Sequence, residues 1–369
     1  HAAIKDLDKG LFPNAFCKIL PDLAAGDPNY VNIMHADTAG TKTSLAYLYW
    51  RETGDVSVWE GIVQDSMVMN LDDMAAAGMM NDFILSSNNG RNKNLVDGSV
   101  VAALIGAQKK LADKMTSFGV NLHLAGGETA DVGDIVRTAD VGFTAFGRFP
   151  KEDVIDIDIQ DDDVIIGLAS YGQASYENEY NSGIGSNGLT FARHETLIKA
   201  YADKYPETYD PALKDDVVYT GKSFLTDSFE DAPLNVGKLL LSPTRTYVPV
   251  IKVLLEKLRK QINGIIHCTG GGLTKVLHFS EGMTTYKGNP SPIPYVFRMI
   301  QQQTNTPWKE MYQVFNMGQR LEVYLPKEHA QEVIDIAKSF NINAQLIGVC
   351  KKGKKQVVVG SPYGEFVYE

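Results

Sequence analysis

Three times along the chain an apolar, strand-like run leads into a glycine-containing loop, and that recurrence limits the fold more than any other feature. The first is VNLHLAGGET, where Val120, Leu122 and Leu124 alternate with Asn121 and His123 as in a half-buried strand. A helix should precede it from near Asp97, because Val101, Leu104, Ile105, Leu111, Met115 and Phe118 recur at helical spacing. Gly119 suits the left-handed residue that ends such a helix. The second is DVIIGLAS, 163–170, followed by a long polar loop and then SNGLTFARHETL, which opens a helix. The third is NGIIHCTGGGLTKVL, in which Ile265 and Ile266 lead into a triple glycine, with a helix expected after it. The tail reads RLEVYLP as strand, KEHAQEVIDIAKSF as helix and NAQLIGVC as strand. Alternation of this kind builds α/β or α+β layers.

At 369 residues the chain is long enough for two domains of ordinary size. The stretch FPKEDVIDIDIQDDD joins Pro150 to a dense charge run between two strands, which places the division near 158, giving 1–158 and 159–369. With 44% hydrophobic and 22% charged residues the composition is that of a globular protein. A net charge of −10 disfavours nucleic acid and anionic membrane as partners, while leaving room for a local phosphate site. Cys17, Cys268 and Cys350 are isolated from one another, which argues against a cysteine-built zinc site and fits a reducing compartment. The sequence starts at His1 without a signal-peptide pattern and has no run long enough to span a membrane, so a cytoplasmic location is expected.

Several short segments carry candidate chemistry, each beside a plainer structural reading. In HADTAGTK, small residues around Gly40 let backbone N–H groups approach an anion, with Thr41 and Lys42 for phosphates and Asp37 for Mg²⁺; the plainer reading is a tight turn with a surface lysine. In MNLDDMAAAG, Asp72 and Asp73 interrupt an apolar helix-forming stretch, as a metal pair or as an exposed helix face. In GGET, Gly126 and Gly127 hinge a strand end that presents Glu128 and Thr129, or the turn is merely capped by the acid. Asp37, Asp73 and Glu128 together would supply three hard oxygen ligands for Mg²⁺ carrying ATP phosphates. GIGSNG, 183–188, has the spacing of a dinucleotide fingerprint, but a polar loop rather than a strand precedes it, so it reads as a helix start able to hold an anion. His267, beside Gly270, Gly271 and Gly272, can bond a substrate or move a proton, or it is structural. Arg245 in SPTRTY is a phosphate clamp or an ion-pair partner, and Asn316 and Gly318 mark a bend or a strand entry.

In order, DTAGTK, the acidic pair, GGETA, SNG, SPTRTYV, HCTGGG and MYQVFNMG resemble the motifs of the aminoimidazole ribonucleotide synthetase (phosphoribosylformylglycinamidine cyclo-ligase) family, over about residues 30 to 350. The resemblance implies a two-domain fold: N-terminal strands forming a barrel across a homodimer, and a C-terminal α/β layer domain. It also implies ATP-dependent closure of formylglycinamidine ribonucleotide to aminoimidazole ribonucleotide, with ADP and phosphate released. Catalytic roles would then fall to His267, Asp73 and Lys42. Asp37, Gly40, Thr41, Lys42, Gly126, Gly127, Glu128 and Thr129 would bind the nucleotide, and Ser186, Asn187, Gly188, Thr269, Gly270 and Gly271 the substrate. Asp37, Asp72, Asp73 and Glu128 would hold Mg²⁺.

The chain departs from that family pattern in three places: no glycine-rich segment precedes Asp37, Asp72 stands where the family has asparagine, and the loop before SNG is longer and lacks its histidine. A related ATP-using enzyme acting on another amide or small phosphorylated substrate is therefore the second reading. A silent nucleotide-binding or dimerisation module is the third, and a dehydrogenase ranks last.

Overall fold

The computed structural model describes residues 8–369. Its first layer is a five-stranded sheet of β1 (Ile19–Pro21), β2 (Tyr30–Thr38), β3 (Phe83–Arg91), β4 (Leu122–Asp131) and β5 (Ala139–Pro150), in the order β1-β2-β5-β3-β4. All neighbours are antiparallel except β3 and β4. Helices α1 (Lys42–Thr53), α2 (Val58–Ala76) and α3 (Gly98–Ser117) belong to this half. In β3 the buried Phe83 and Leu85 alternate with the exposed Ile84 and Ser86, so one face enters the core and the other faces outward. α3 begins where the spacing predicts: the Asp97 carboxylate accepts the Ser99 N–H at 2.8 Å, and Gly119 stops the chain at φ +75°.

Between Pro150 and Val164 the chain passes into a second, seven-stranded sheet. It comprises β6 (Val164–Ala169), β7 (Gly264–His267), β8 (Met283–Lys287), β9 (Gln319–Leu325), β10 (Ala344–Lys352), β11 (Gln356–Ser361) and β12 (Gly364–Tyr368), ordered β12-β11-β8-β10-β6-β9-β7. Its helices are α4 (Leu189–Thr196), α5 (Ala200–Lys204), α6 (Val236–Leu241), α7 (Val248–Leu258), α8 (Tyr295–Thr304), α9 (Trp308–Val314) and α10 (Ala330–Ser339). The triple glycine leads into a 3₁₀ turn over Gly272–His278 rather than an α-helix.

α2 is buried on nearly every side, its aspartates and Asn70 included. It packs against β2 and β5 on one side and against α7 and β7 on the other, so it is the wall shared by the two halves.

The GGET segment does not end a strand. β4 runs through it to Asp131, and the glycines absorb a bulge at which the pairing with β3 shifts between Leu85 and Ser87. A Cβ on Gly127 would lie 2.2 Å from the Ser87 carbonyl oxygen, so only glycine passes here. Beyond the bulge Glu128 pairs with Asn88, which lies on the outward face of the sheet.

His194, near the end of α4, is buried against the guanidinium of Arg193 at 3.2 Å. Burial first, and the Arg193 charge second, lower its pKa from 6.5 to about 4. The unfolded chain therefore binds a proton between those values that the folded chain refuses, and stability falls as pH drops from about 6.5 to about 4. A loss of about 3 kcal/mol over that window is expected in urea titrations, and His194→Asn should remove most of the slope.

Candidate active site between the two domains

The polar residues of α2 are explained one by one by what they hold. Asp65 and Asp72 sit two turns apart and so share a face. That face receives the segment 244–247 of the second domain. Asp65 accepts the Thr244 N–H at 2.7 Å and its hydroxyl at 2.6 Å. Asp72 accepts the Thr246 hydroxyl at 2.7 Å and the Tyr247 N–H at 2.9 Å. Asp72 is thus neither an exposed helix residue nor a free metal ligand: it is buried, both oxygens are engaged, and burial pushes its pKa up.

Lys42 also differs from expectation. Its ammonium is fully buried, pairs with Asp65 at 2.9 Å, and donates to the carbonyls of Gly185 at 3.1 Å and Ser242 at 2.7 Å. All three of its protons are spent inside the protein, which leaves none for a nucleotide phosphate. Burial lowers its pKa, and Asp65 works against that shift.

Asp73, the next residue along α2, meets two histidines. One oxygen lies 2.6 Å from Nδ1 of His267, the other 3.5 Å from Nε2 of His35, and Nδ1 of His35 lies 3.0 Å from the Asn70 side-chain oxygen. Nε2 of His267 accepts from Nε of Arg320 at 3.2 Å. A guanidinium only donates, so this bond assigns the imidazole proton to Nδ1 and makes His267 the donor to Asp73. His267 is fully buried with both nitrogens occupied, so it positions Asp73 and is not an open acid or base.

Asp37 lies on the side of β2 that faces α2. Burial, reinforced by the negative charge of Asp73, raises its pKa. Asp37, with Asp73 near it, would suit a divalent cation, since Mg²⁺ commonly takes one or two carboxylates with water and phosphate oxygens. Glu128 is not part of that pair. The paired residues Thr38, Gly142, Asn88 and Glu128 form a row across four strands, which separates the ends by about 14 Å. Glu128 also lies on the outward face. Among the described residues no group of three or more His, Cys, Asp or Glu forms a metal-type cluster, so the expected three-carboxylate site is not assembled within one chain.

The candidate loops do converge. The Thr41 hydroxyl meets the Thr190 hydroxyl at 2.6 Å, at the start of α4. The missing Cβ of Gly270 would lie 3.8 Å from the side-chain oxygen of Asn187, so Ser186–Gly188 and Thr269–Gly271 face each other. Gly40 turns with φ +60° and has open space where a side chain would be. Asn316 supports the loop from beneath, donating to the carbonyl of Gly183 at 2.9 Å. Arg245 is an ion-pair partner: its guanidinium takes both oxygens of Glu177, at 2.9 and 2.6 Å, which pins the long loop before SNG. Gly126 and Thr129 lie with Glu128 on exposed β4, away from this convergence.

Sequence reasoning missed Asp65, His35 and Arg320. Asp65 carried a signal, a second acid two turns before Asp72 in the same apolar helix; the other two carried none.

Two mixed α/β domains sharing a buried polar wall, with glycine loops from both sides meeting over it, define the class: a two-domain protein whose candidate site lies between its halves. Residues 20–149 match the family described as AIR synthase related protein, N-terminal domain, and residues 160–361 match its C-terminal domain. The chain belongs to that AIR synthase related family.

Among curated proteins it is 35% identical over 231 residues to the phosphoribosylformylglycinamidine cyclo-ligase of Methanocaldococcus jannaschii, an alignment covering 62% of this chain and 56% of that protein. It is 32% identical over 241 residues to the cyclo-ligase of Carboxydothermus hydrogenoformans, covering 64% and 60%. These alignments thus span under two thirds of the relatives' own length. With the cyclo-ligase of Caldicellulosiruptor saccharolyticus the match is 29% over 340 residues, covering 90% of this chain and 85% of that one. Among solved structures the fold matches the HypE-HypF complex (TM-score 0.57, 14% identity, 100% and 97% covered) and the thiamine-monophosphate kinase of Stenotrophomonas maltophilia (TM-score 0.55, 15% identity, 94% and 92% covered). At such identities these two structures speak for the fold alone. No helix among the described residues is long and apolar enough to cross a membrane.

Proposed function

We propose that the chain is an ATP-dependent cyclo-ligase that closes formylglycinamidine ribonucleotide to aminoimidazole ribonucleotide, releasing ADP and phosphate, in the cytoplasm. The observation that carries the reading is the junction of Asp73 with His267, 2.6 Å across the domain boundary, at the place where the loops 186–188 and 269–271 face each other. The name shared by the curated relatives supports it.

The chemical obstacle is an amide oxygen that leaves poorly. Moving the γ-phosphoryl group of ATP onto it makes a leaving group, after which the neighbouring nitrogen attacks the carbon and phosphate departs. The work of the protein is positioning and charge neutralisation. Asp37 and Asp73 would hold Mg²⁺, which supplies positive charge against the phosphates when bound. Gly40 and Thr41 offer backbone and hydroxyl donors on the nucleotide side. Ser186, Asn187 and Gly188 seat the substrate at the start of α4, and Thr269, Gly270 and Gly271 close over it. His267 fixes the orientation of Asp73.

ADP release should be measured with Mg·ATP, with and without formylglycinamidine ribonucleotide, while aminoimidazole product is followed. Matched, substrate-dependent ADP and product are expected. A folded chain that binds ATP but is not stimulated favours the second reading, a related ATP-using enzyme with another amide or phosphorylated substrate. The longer loop held by Glu177 and Arg245 is the observation behind that alternative.

The active form is proposed to be a homodimer. Met34, Phe146 and Ile84 are paired across β2, β5 and β3 on the outward face of the first sheet, with Met34 63% and Ile84 42% exposed. An apolar row of that kind calls for a cover. Sedimentation should give a dimer mass for the wild type and a monomer mass for Met34→Glu; a variant that stays dimeric would remove this face from the interface.

A further inference from the structure

Three buried cations surround the loop 183–188. Lys42 is paired with Asp65, and Arg245 with Glu177. Arg320, on β9, is 2% exposed and forms no ion pair among the described residues. Two of its three nitrogens are fixed: Nε donates to His267 at 3.2 Å, and Nη2 donates to the carbonyl of Arg245. Nη1 is buried and has no partner. It lies over Gly185, where a side chain, if there were one, would begin 3.3 Å from Nη1, 3.9 Å from Nδ2 of Asn316 and 3.9 Å from the Thr244 hydroxyl oxygen. Nη1 is thus the free donor of this corner, against Gly185 and just before the N-terminus of α4, since Asn316 donates to the carbonyls of Gly183 and Ile184 and the Thr244 hydroxyl to Asp65.

A buried guanidinium N–H without an acceptor is costly, and the cost is offset where a ligand supplies that acceptor. Phosphate oxygens match both the fork of arginine and the free N–H groups at a helix start. We propose that Arg320 is a ligand-binding residue whose Nη1 takes an oxygen of a phosphate group held at the loop before the start of α4. The ligand class is a small phosphorylated molecule or free phosphate. The inference rests on the reading that Ser186–Gly188 seat the substrate, and it assigns the phosphate-side cation to Arg320 in place of Lys42.

The test is the thermal midpoint of the full chain titrated with inorganic phosphate, in the wild type, R320Q and R320K. The wild type should gain stability with phosphate. R320Q should keep its midpoint in phosphate-free buffer to within a few degrees, yet show an apparent affinity about 10- to 100-fold weaker. A purely structural arginine would instead lower the phosphate-free midpoint and leave the affinity alone. R320Q with wild-type affinity overturns the proposal, as does a wild type with no phosphate response. If R320Q does not fold, R320K decides: weakened affinity supports the fork at Nη1, and wild-type affinity overturns it. Repeating the titration with formylglycinamidine ribonucleotide separates a substrate phosphate from free phosphate. Product assays on the same preparations keep the two readings apart. Product with Arg320-independent phosphate binding sinks only this inference; Arg320-dependent binding without product sinks only the cyclo-ligase.

Discussion

Asp73→Asn should lose roughly a thousandfold in turnover, about 4 kcal/mol of barrier, while its circular dichroism and thermal midpoint stay close to wild type. Asp73 is the acid of α2 that meets both His267, at 2.6 Å, and His35, at 3.5 Å. The amide keeps the shape and can still accept from Nδ1, so folding is spared. What disappears is the negative charge beside Asp37, and with it the pull on a divalent cation. ADP release at saturating Mg·ATP is the measurement. A fully active variant would remove Asp73 from the site.

Lys42→Met should destabilise the fold by about 3–5 kcal/mol in urea titrations and leave nucleotide affinity nearly unchanged. Taking away the ammonium strands the Asp65 carboxylate in a dry interior, and the carbonyls of Gly185 and Ser242 lose their donor. The double variant K42M/D65N should recover most of the loss, because asparagine still accepts from Thr244 and no charge remains buried. A K42M chain of normal stability that no longer binds ATP would restore the phosphate role expected of this lysine.

The elements that depend on local pattern were legible. The helix from Asp97, its stop at Gly119, the strand over 319–325 and the helix near 330–339 all follow from periodicity and capping. The path of β4 was not, because two glycines in a strand read as its end; only the neighbouring Ser87 shows that they carry a bulge. Lys42 reads as a phosphate contact, or more plainly as a surface lysine, since nothing in HADTAGTK announces that an acid in the next helix will neutralise it. The contact of His267 with Asp73 joins residues from different domains, and no local spacing encodes it. Arg320 was invisible for the same reason: its partners, His267 and the Arg245 carbonyl, come from other segments of the second domain. Motif order located the loops, but which side chains remain available in them depended on long-range pairing.

The grip of α2 on the segment 244–247 limits how the enzyme opens. Asp65 and Asp72 hold that segment through four hydrogen bonds, and swinging the domains apart like jaws would strip both buried carboxylates of their partners at once. The two halves therefore behave as one welded frame. Ligand exchange is thus expected to use the short loops set in that frame, as doors in a fixed wall, rather than a hinge between domains.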